Sequence, residues 1–385
     1  MLGRKFGIAT DWHFGIGKDN QYRLKETEKC IDWIIKTFKS NGVDYIVFCG
    51  DLFDSRFSIN VQTLNSAISC IQNLAYSFEK VFLIVGNHDT FYKNVNTVNS
   101  VRFLEKLSQT ENLIIVEEEP YFMMIQDKTF GLFPWGFNPN DDLAKYKNYE
   151  VCDYGFGHFE TNGIELAGSL STGAKYNFTD LYKLADFIFS GHYHINSLYS
   201  NGKRENRVLM VGSSLQLDWG DYNKSKYIYT LDTETDELMP YENNVNTKFE
   251  KIFYSVLESN EYTKEDLTKL CKNNFVKFVV DVKYQFNNIL KYTEILKEYK
   301  PISLELEYLI SLTSDVIVES TEELVKTKTK DNNVYLKEYI QKMFNELKQL
   351  DESIELSYLE ELVETYYKRS KLSEAERQER ELIGG

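Results

Sequence analysis

A chain of 385 residues exceeds what one ordinary hydrophobic core supports and suits two domains, with room for a tail. Its 42% hydrophobic and 27% charged residues are those of a soluble globular protein, and no run approaches the ~20 apolar residues of a bilayer-spanning helix. The net charge of −15 is awkward for a nucleic-acid protein, where affinity comes mostly from neutralising phosphates: either the substrate is not DNA, or metals and a basic partner supply the positive field.

In chain order, Phe6–Asp11 reads as a short buried strand that follows the first residues directly, so no secretory leader is expected. Leu24–Lys39 carries apolar residues at Leu24, Ile31, Ile34, Ile35 and Phe38, the spacing of a helix that stops at Gly42. Tyr45–Cys49 is the next strand, Val61–Phe78 the next helix and Val81–Val85 the third strand. Further strands are expected at Leu113–Val116, Phe130–Phe133, Tyr154–Gly157, Phe187–Phe189 and Arg207–Val211. Strands joined by helices, with polar clusters after the strand ends, predict an α/β layered domain over residues 1–240 whose loops carry function.

Past Pro240 the texture changes. Strands at Phe249–Leu257, Phe275–Lys283 and Ile302–Ile310 and a helix at Asn288–Tyr299 predict a small α+β unit over 241–318. Residues 319–333 are polar, lack aromatics and read as a linker. Val334–Leu350 and Ile354–Arg369 then repeat apolar residues at helical spacing, giving a helical segment over 334–370, and 371–385 form a charged tail. The five cysteines are scattered, odd in number and without CxxC spacing, which argues for a reducing cytoplasm and against a disulfide framework.

All five histidines fall in short polar motifs that follow predicted strands: TDWH (Thr10–His13), VGNHD (Val85–Asp89), GFGHFETNG (Gly155–Gly163) and SGHYH (Ser190–His194). A fifth motif, CGDLFDSR (Cys49–Arg56), supplies two aspartates. One histidine alone is an ordinary surface or core residue; five so placed point to a shared site. Imidazole with carboxylate binds borderline divalent cations such as manganese, iron or zinc. Two such ions clamp the attacking and leaving oxygens of a phosphoryl displacement.

The order DxH, GDxxD, GNHD, GH and GHxH resembles the calcineurin-like metallophosphoesterase superfamily over roughly Phe6–Leu217. The resemblance implies a metallophosphoesterase β-sandwich flanked by helices and two divalent metals, with Mn2+ expected. Asp11, His13, Asp51 and His194 would hold the first ion. Asp51 would bridge, and Asn87, His158 and His192 would complete the second site. His88 would face the scissile phosphate as general acid or clamp, oriented by Asp54. Arg56 and Lys93 are candidate contacts to a phosphodiester backbone, or solvated charges. Trp12 and Trp135 are candidate base-stackers, or core residues. Trp219 and Asp221 are expected to wall the site.

GDLFDSR and GNHD depart from the GDxxDRG and GNHE of phosphoprotein phosphatases. Together with VGSSLQL after SGHYH, they resemble the SbcD-type DNA double-strand-break nucleases, most nearly the recombination endonuclease subunit of large tailed phages. That likeness implies a capping domain after the core and a C-terminal helical segment that docks on an SbcC-type coiled-coil ATPase. It also implies a homodimer acting on DNA, with no membrane, in the cytoplasm of a bacterial or phage-infected host cell. A phosphodiesterase of small nucleotides and a non-catalytic scaffold of the same fold remain the alternatives.

Overall fold

The computed structural model describes residues 4–309, except 93–94, 108–110, 147–148, 167–168, 203–205, 283 and 285. Lys93, the linker 319–333, the helical segment 334–370 and the tail 371–385 lie outside the described residues.

Two six-stranded sheets dominate. In the first, Lys5–Ala9, Tyr45–Phe48, Lys80–Ile84 and Leu113–Val116 run parallel, and Tyr227–Asp232 and Glu237–Glu242 extend the other edge antiparallel. In the second, Lys128–Phe133, Cys152–His158, Ala185–Gly191 and Arg207–Met210 are parallel, with Tyr121–Ile125 and Ser197–Ser200 antiparallel at its two edges. Alternating residues of both sheets meet in one apolar layer. Phe6, Val47, Phe82 and Ile84 pack there with Phe130, Phe156, Phe189 and Val211, and Phe6 stacks on Phe130 with ring centroids 4.9 Å apart.

Helices Gln21–Ser40 and Val61–Ser77 cover the outer face of the first sheet through Ile31, Ile34, Phe38, Ile71 and Leu74. Each starts on an asparagine: the Asn20 and Asn60 side chains accept hydrogen bonds from the first backbone N–H groups. The first helix ends at Gly42, whose φ of 67° is a conformation that favours glycine. A second apolar cluster with Tyr176, Leu181 and Leu184 covers the outer face of the second sheet. The result is the layered α/β arrangement expected from the strand and helix order.

Phe249–Phe253, Phe275–Val280 and Ser303–Tyr308 form a three-stranded sheet whose strands are all parallel. Helices Lys264–Cys271 and Phe286–Glu298 connect them, so this unit is α/β in order and not the expected α+β. The first strand also ends earlier than predicted. The Asp281 carboxylate accepts bonds from Ser255 N (3.0 Å) and Ser255 Oγ (2.5 Å), and the chain turns there into the helix Tyr254–Glu258. Among the described residues no helix is long and apolar enough to cross a membrane.

Candidate metal centre

Five loops meet at the C-terminal ends of parallel strands from both sheets, the usual location of sites in α/β folds. The first three follow Lys5–Ala9, Tyr45–Phe48 and Lys80–Ile84 and bring Asp11, His13, Asp51, Asp54, Asn87 and His88. Cys152–His158 ends on His158, and Ala185–Gly191 leads into His192 and His194. The first two loops continue the ladder beyond their strands, with Asp11 N donating to Gly50 O (3.0 Å) and Phe14 N to Leu52 O (2.8 Å).

The backbone is strained where these side chains turn inward. Asp11, His13, Asp51 and His192 have φ values of 54°, 46°, 59° and 87°, a region that non-glycine residues rarely occupy. Such conformations cost about 1–3 kcal/mol each and persist where the surroundings enforce them. Space is equally tight. A Cβ at Gly86 would strike the Asp51 carboxylate, and one at Gly50, whose φ is 101°, would strike the His158 ring.

The donor atoms fall into two groups that share Asp51. In the first, Asp11 Oδ1 lies 3.7 Å from His13 Nε2 and 3.8 Å from His194 Nε2, and the two imidazole nitrogens are 3.1 Å apart. In the second, Asp51 Oδ2 lies 3.2 Å from His158 Nε2, and Asn87 Oδ1 lies 2.9 Å from both His158 Nε2 and His192 Nδ1. Asp51 Oδ2 is also 3.7 Å from His13 Nε2, which links the groups.

These distances fit cations. Ligands bonded at about 2.0–2.2 Å stand roughly 3–4 Å from one another. Asp11 Oδ1 is buried without a hydrogen-bond partner, an expensive state for a carboxylate oxygen unless a positive charge faces it. His158 Nδ1 lies 2.7 Å from the Cys49 carbonyl, which can only accept, so the tautomer leaves Nε2 facing Asp51 as a lone pair. Asp11, Asp51, His13 and His158 are all buried.

Electrostatics agree with a site built for positive charge. Burial opposes ionisation of Asp51, yet His158 and His13 beside it hold its carboxyl well below the usual range, and Asp11 is lowered in the same way. Burial alone would lower His13, but Asp11, Asp54 and Asp51 push it up to about 10. Burial opposes the proton on His158 too, and Asp51 pushes it up to about 9. His192 goes the other way, to about 4, through burial and the nearby His158. Protons and cations therefore compete for the same nitrogens.

His88 stands beside this cluster. Its ring centroid is 4.9 Å from that of His13, its backbone N–H donates to Asp51 Oδ1 (2.8 Å), and its Nδ1 lies 2.6 Å from the Asp54 backbone oxygen. The Asp54 contact to His88 thus runs through the main chain. The Asp54 carboxylate instead faces His13 Nδ1 at 3.4 Å, outside hydrogen-bond geometry. A His88 nitrogen also falls within 4.8 Å of donor atoms of His13 and Asp51. Arg56 is half-buried on the loop beyond Asp54.

Trp12 is fully buried, packs on Phe48 and donates to Ser214 Oγ (3.3 Å), so of its two candidate roles it takes the core one. Trp135 lies tilted against His192, 5.5 Å between centroids. Trp219 turns from the site to Phe249 and Lys277 of the three-stranded unit. Asp221 pairs with buried Lys226 at 2.5 Å, and that lysine donates to the His194 carbonyl (2.6 Å) and Ser213 Oγ (2.9 Å). The loop of His194 is thereby held from behind.

Asp89 carries more than its place in VGNHD suggested. Its buried carboxylate accepts from the backbone N–H groups of Asp51 (3.0 Å), Leu52 (3.0 Å), Phe53 (3.1 Å) and Gly86 (2.9 Å), clamping two ligand loops. Burial and Asp51 raise its pKa to about 6, while the N–H donors pull it down. Asp89→Ala should leave buried donors unpaired, at about 1–3 kcal/mol each, and lower unfolding free energy by about 3 kcal/mol or more. Urea denaturation of metal-free protein measures this, and a loss under about 1 kcal/mol would mean the clamp is dispensable.

Comparison with known proteins agrees with this geometry. Residues 4–196 match the calcineurin-like phosphoesterase family. The chain is 29% identical to exonuclease subunit 1 of Enterobacteria phage T4 over 262 residues, 68% of this chain and 73% of that protein. It is 24% identical to the SbcD subunit of the nuclease SbcCD of Escherichia coli K12 over 278 residues, 61% of this chain and 66% of that one. A solved archaeal phosphodiesterase overlaps 62% of this chain and 99% of its own at 16% identity, but its TM-score of 0.34 is too low to carry an argument. The match over residues 4–196, half of the chain, makes the chain a member of the calcineurin-like phosphoesterases, metal-dependent hydrolases of phosphate esters.

Proposed function

We propose that the chain is a two-metal DNA nuclease subunit serving recombination, repair and replication, with Mn2+ as its metal. The observation that carries the reading is the pair of donor groups sharing Asp51, with His88 beside them. When bound, the two cations supply a polarised nucleophilic water and neutralise charge on the phosphodiester. Asp11, His13, Asp51 and His194 would hold one, and Asp51, Asn87, His158 and His192 the other. An imidazole and carboxylate set without thiolate suits a transition ion, whereas magnesium prefers all-oxygen shells. All five cysteines are buried, away from this role.

His88 is the proton donor in this reading. Because its Nδ1 faces a carbonyl oxygen, Nδ1 carries a proton, and a proton on Nε2 makes the ring an imidazolium. That cation first attracts the phosphate and then releases the Nε2 proton to the leaving oxygen. DNA is favoured over a small nucleotide by the likeness to two nucleases and by the additional unit Phe249–Tyr308.

The test offers manganese-loaded protein labelled double- and single-stranded DNA beside bis-p-nitrophenyl phosphate. Cleavage of DNA that vanishes after exhaustive dialysis against EDTA is expected. Full activity after dialysis would defeat the metal reading, and hydrolysis of the small diester without DNA cleavage would favour the nucleotide phosphodiesterase.

The partner belongs to the same proposal. Residues 334–370 would bind an SbcC-type coiled-coil ATPase, and the nuclease would act as a homodimer. Short isolated helices are marginal in water, so this segment needs something to pack on. Truncation after Thr321 should leave metal binding and small-diester hydrolysis intact while abolishing complex formation and ATP-stimulated duplex degradation. Unfolding of the truncated chain would place the segment in the catalytic body instead.

A further inference from the structure

Beside the metal centre the surface carries three exposed aromatic rings. Phe57, Phe91 and Tyr92 keep 77%, 42% and 54% of their area in water. They pack edge to face on one another, with centroids 5.9 Å apart for Phe57 and Phe91 and 4.8 Å for Phe91 and Tyr92. An ordered turn presents the first, because Ser55 Oγ accepts from Phe57 N (3.3 Å) and Ser58 N (3.4 Å). The short strand Thr90–Tyr92, paired antiparallel with Val95–Asn99, presents the others.

Their position gives the cluster meaning. Phe57 follows Asp54 by three residues and Phe91 follows His88 by three, and those two loops are joined where His88 Nδ1 meets the Asp54 oxygen at 2.6 Å. Three residues of backbone span at most about 10 Å, so the rings are carried close to the two loops that hold Asp54 and His88. Left in water they forgo about 25 cal/mol for every Å² of apolar area, and they add nothing to the sandwich core. They also answer the charge problem. A chain of net charge −15 gains little from phosphate contacts, but a ring stacks on a base whatever the sign of the surface.

We propose that Phe57, Phe91 and Tyr92 form a stacking platform for an unpaired base next to the scissile phosphodiester of a nucleic-acid strand; this rests on the nuclease reading above. A base flanking the reacting phosphate lies against the exposed ring faces, and the strand is positioned by stacking rather than by basic side chains. Because any base has a π face, the platform is indifferent to sequence.

Manganese-loaded wild type, Phe57→Ala and Phe91→Ala are compared on a single-stranded deoxyoligonucleotide and on versions with an abasic site at each position flanking the cut. Both variants should raise KM by roughly 5- to 100-fold on the intact strand, with the loss falling on KM rather than kcat and unchanged by salt. One abasic position should raise the wild-type KM by a similar factor, and the variants should show no further loss there. Phe91→Trp should restore wild-type KM. If wild type cleaves no oligonucleotide, the nuclease reading falls. If wild type cleaves and the variants retain its KM, the platform alone falls. Conversion of a dimer to a monomer by either variant, seen in sedimentation, would make the patch a contact between copies and overturn the proposal as well.

Discussion

The Asp51→Asn variant should lose affinity for both metal ions, by more than roughly 100-fold, and with it nearly all hydrolysis. Asp51 lies between the two donor groups, 3.2 Å from His158 and 3.7 Å from His13. Its charge is also what holds His158 protonated up to about 9 when protons fill the place of cations. An amide keeps the shape but removes the charge and one acceptor oxygen. The Asp51 Oδ1 bond to His88 N (2.8 Å) is at risk in the same variant, since an amide nitrogen there would face a donor. Elemental analysis of purified, manganese-loaded protein measures the effect. Retention of two ions by Asp51→Asn would remove Asp51 from the centre of the site.

His88→Ala should keep both ions and lower DNA cleavage by about 100- to 10,000-fold, the usual worth of a positioned proton donor. The same side chain admits a second reading, because a ring nitrogen lies within reach of His13 and Asp51 donor atoms. The leaving group separates the two. p-Nitrophenolate departs without a proton, so a lost general acid should matter far less on bis-p-nitrophenyl phosphate than on DNA. A lost metal ligand should damage both substrates alike and lower the metal content. Equal losses, or a variant that holds fewer ions, would make His88 a ligand rather than a donor.

The parts of the fold that the sequence made legible are those with strong periodicity. Gln21–Ser40 and Val61–Ser77 lie within three residues of where apolar spacing put them, and the five parallel strands that end in site loops were each visible as apolar runs. Among the missed strands, Tyr227–Asp232 is an inner and largely buried strand of the first sheet, while others lie at sheet edges. Glu237–Glu242 lies at the rim of the first sheet, contains Pro240 and is mostly exposed, so its proline read as a boundary although an edge tolerates it. Ser197–Ser200 lies at the rim of the second sheet with only alternate side chains partly covered. Neither buries a face strongly enough to leave a pattern.

The site was legible through its histidines, because five loops with one chemistry stand out against a chain of this length. What stayed hidden is whatever supports them. Asp89 reads as one more acid in VGNHD, and nothing in the string shows that its carboxylate gathers four backbone N–H groups from two loops. Lys226 was not singled out in sequence and Asp221 was expected only to wall the site, yet the two close a buried pair behind His194. Backbone hydrogen bonding of this kind depends on chain path, not residue type. A carboxylate directly after His88, with no solvent-exposed role in view, was the available hint for Asp89.

Two ions held around one shared carboxylate are the core of the proposed chemistry. Metal stoichiometry measures that directly: chelator-stripped, refilled wild-type protein, freed of excess manganese and assayed for metal against protein concentration. Two manganese ions per chain, falling to none on renewed chelation together with phosphodiester hydrolysis, is the predicted result. One ion per chain at full activity, or activity that survives removal of both, would contradict it.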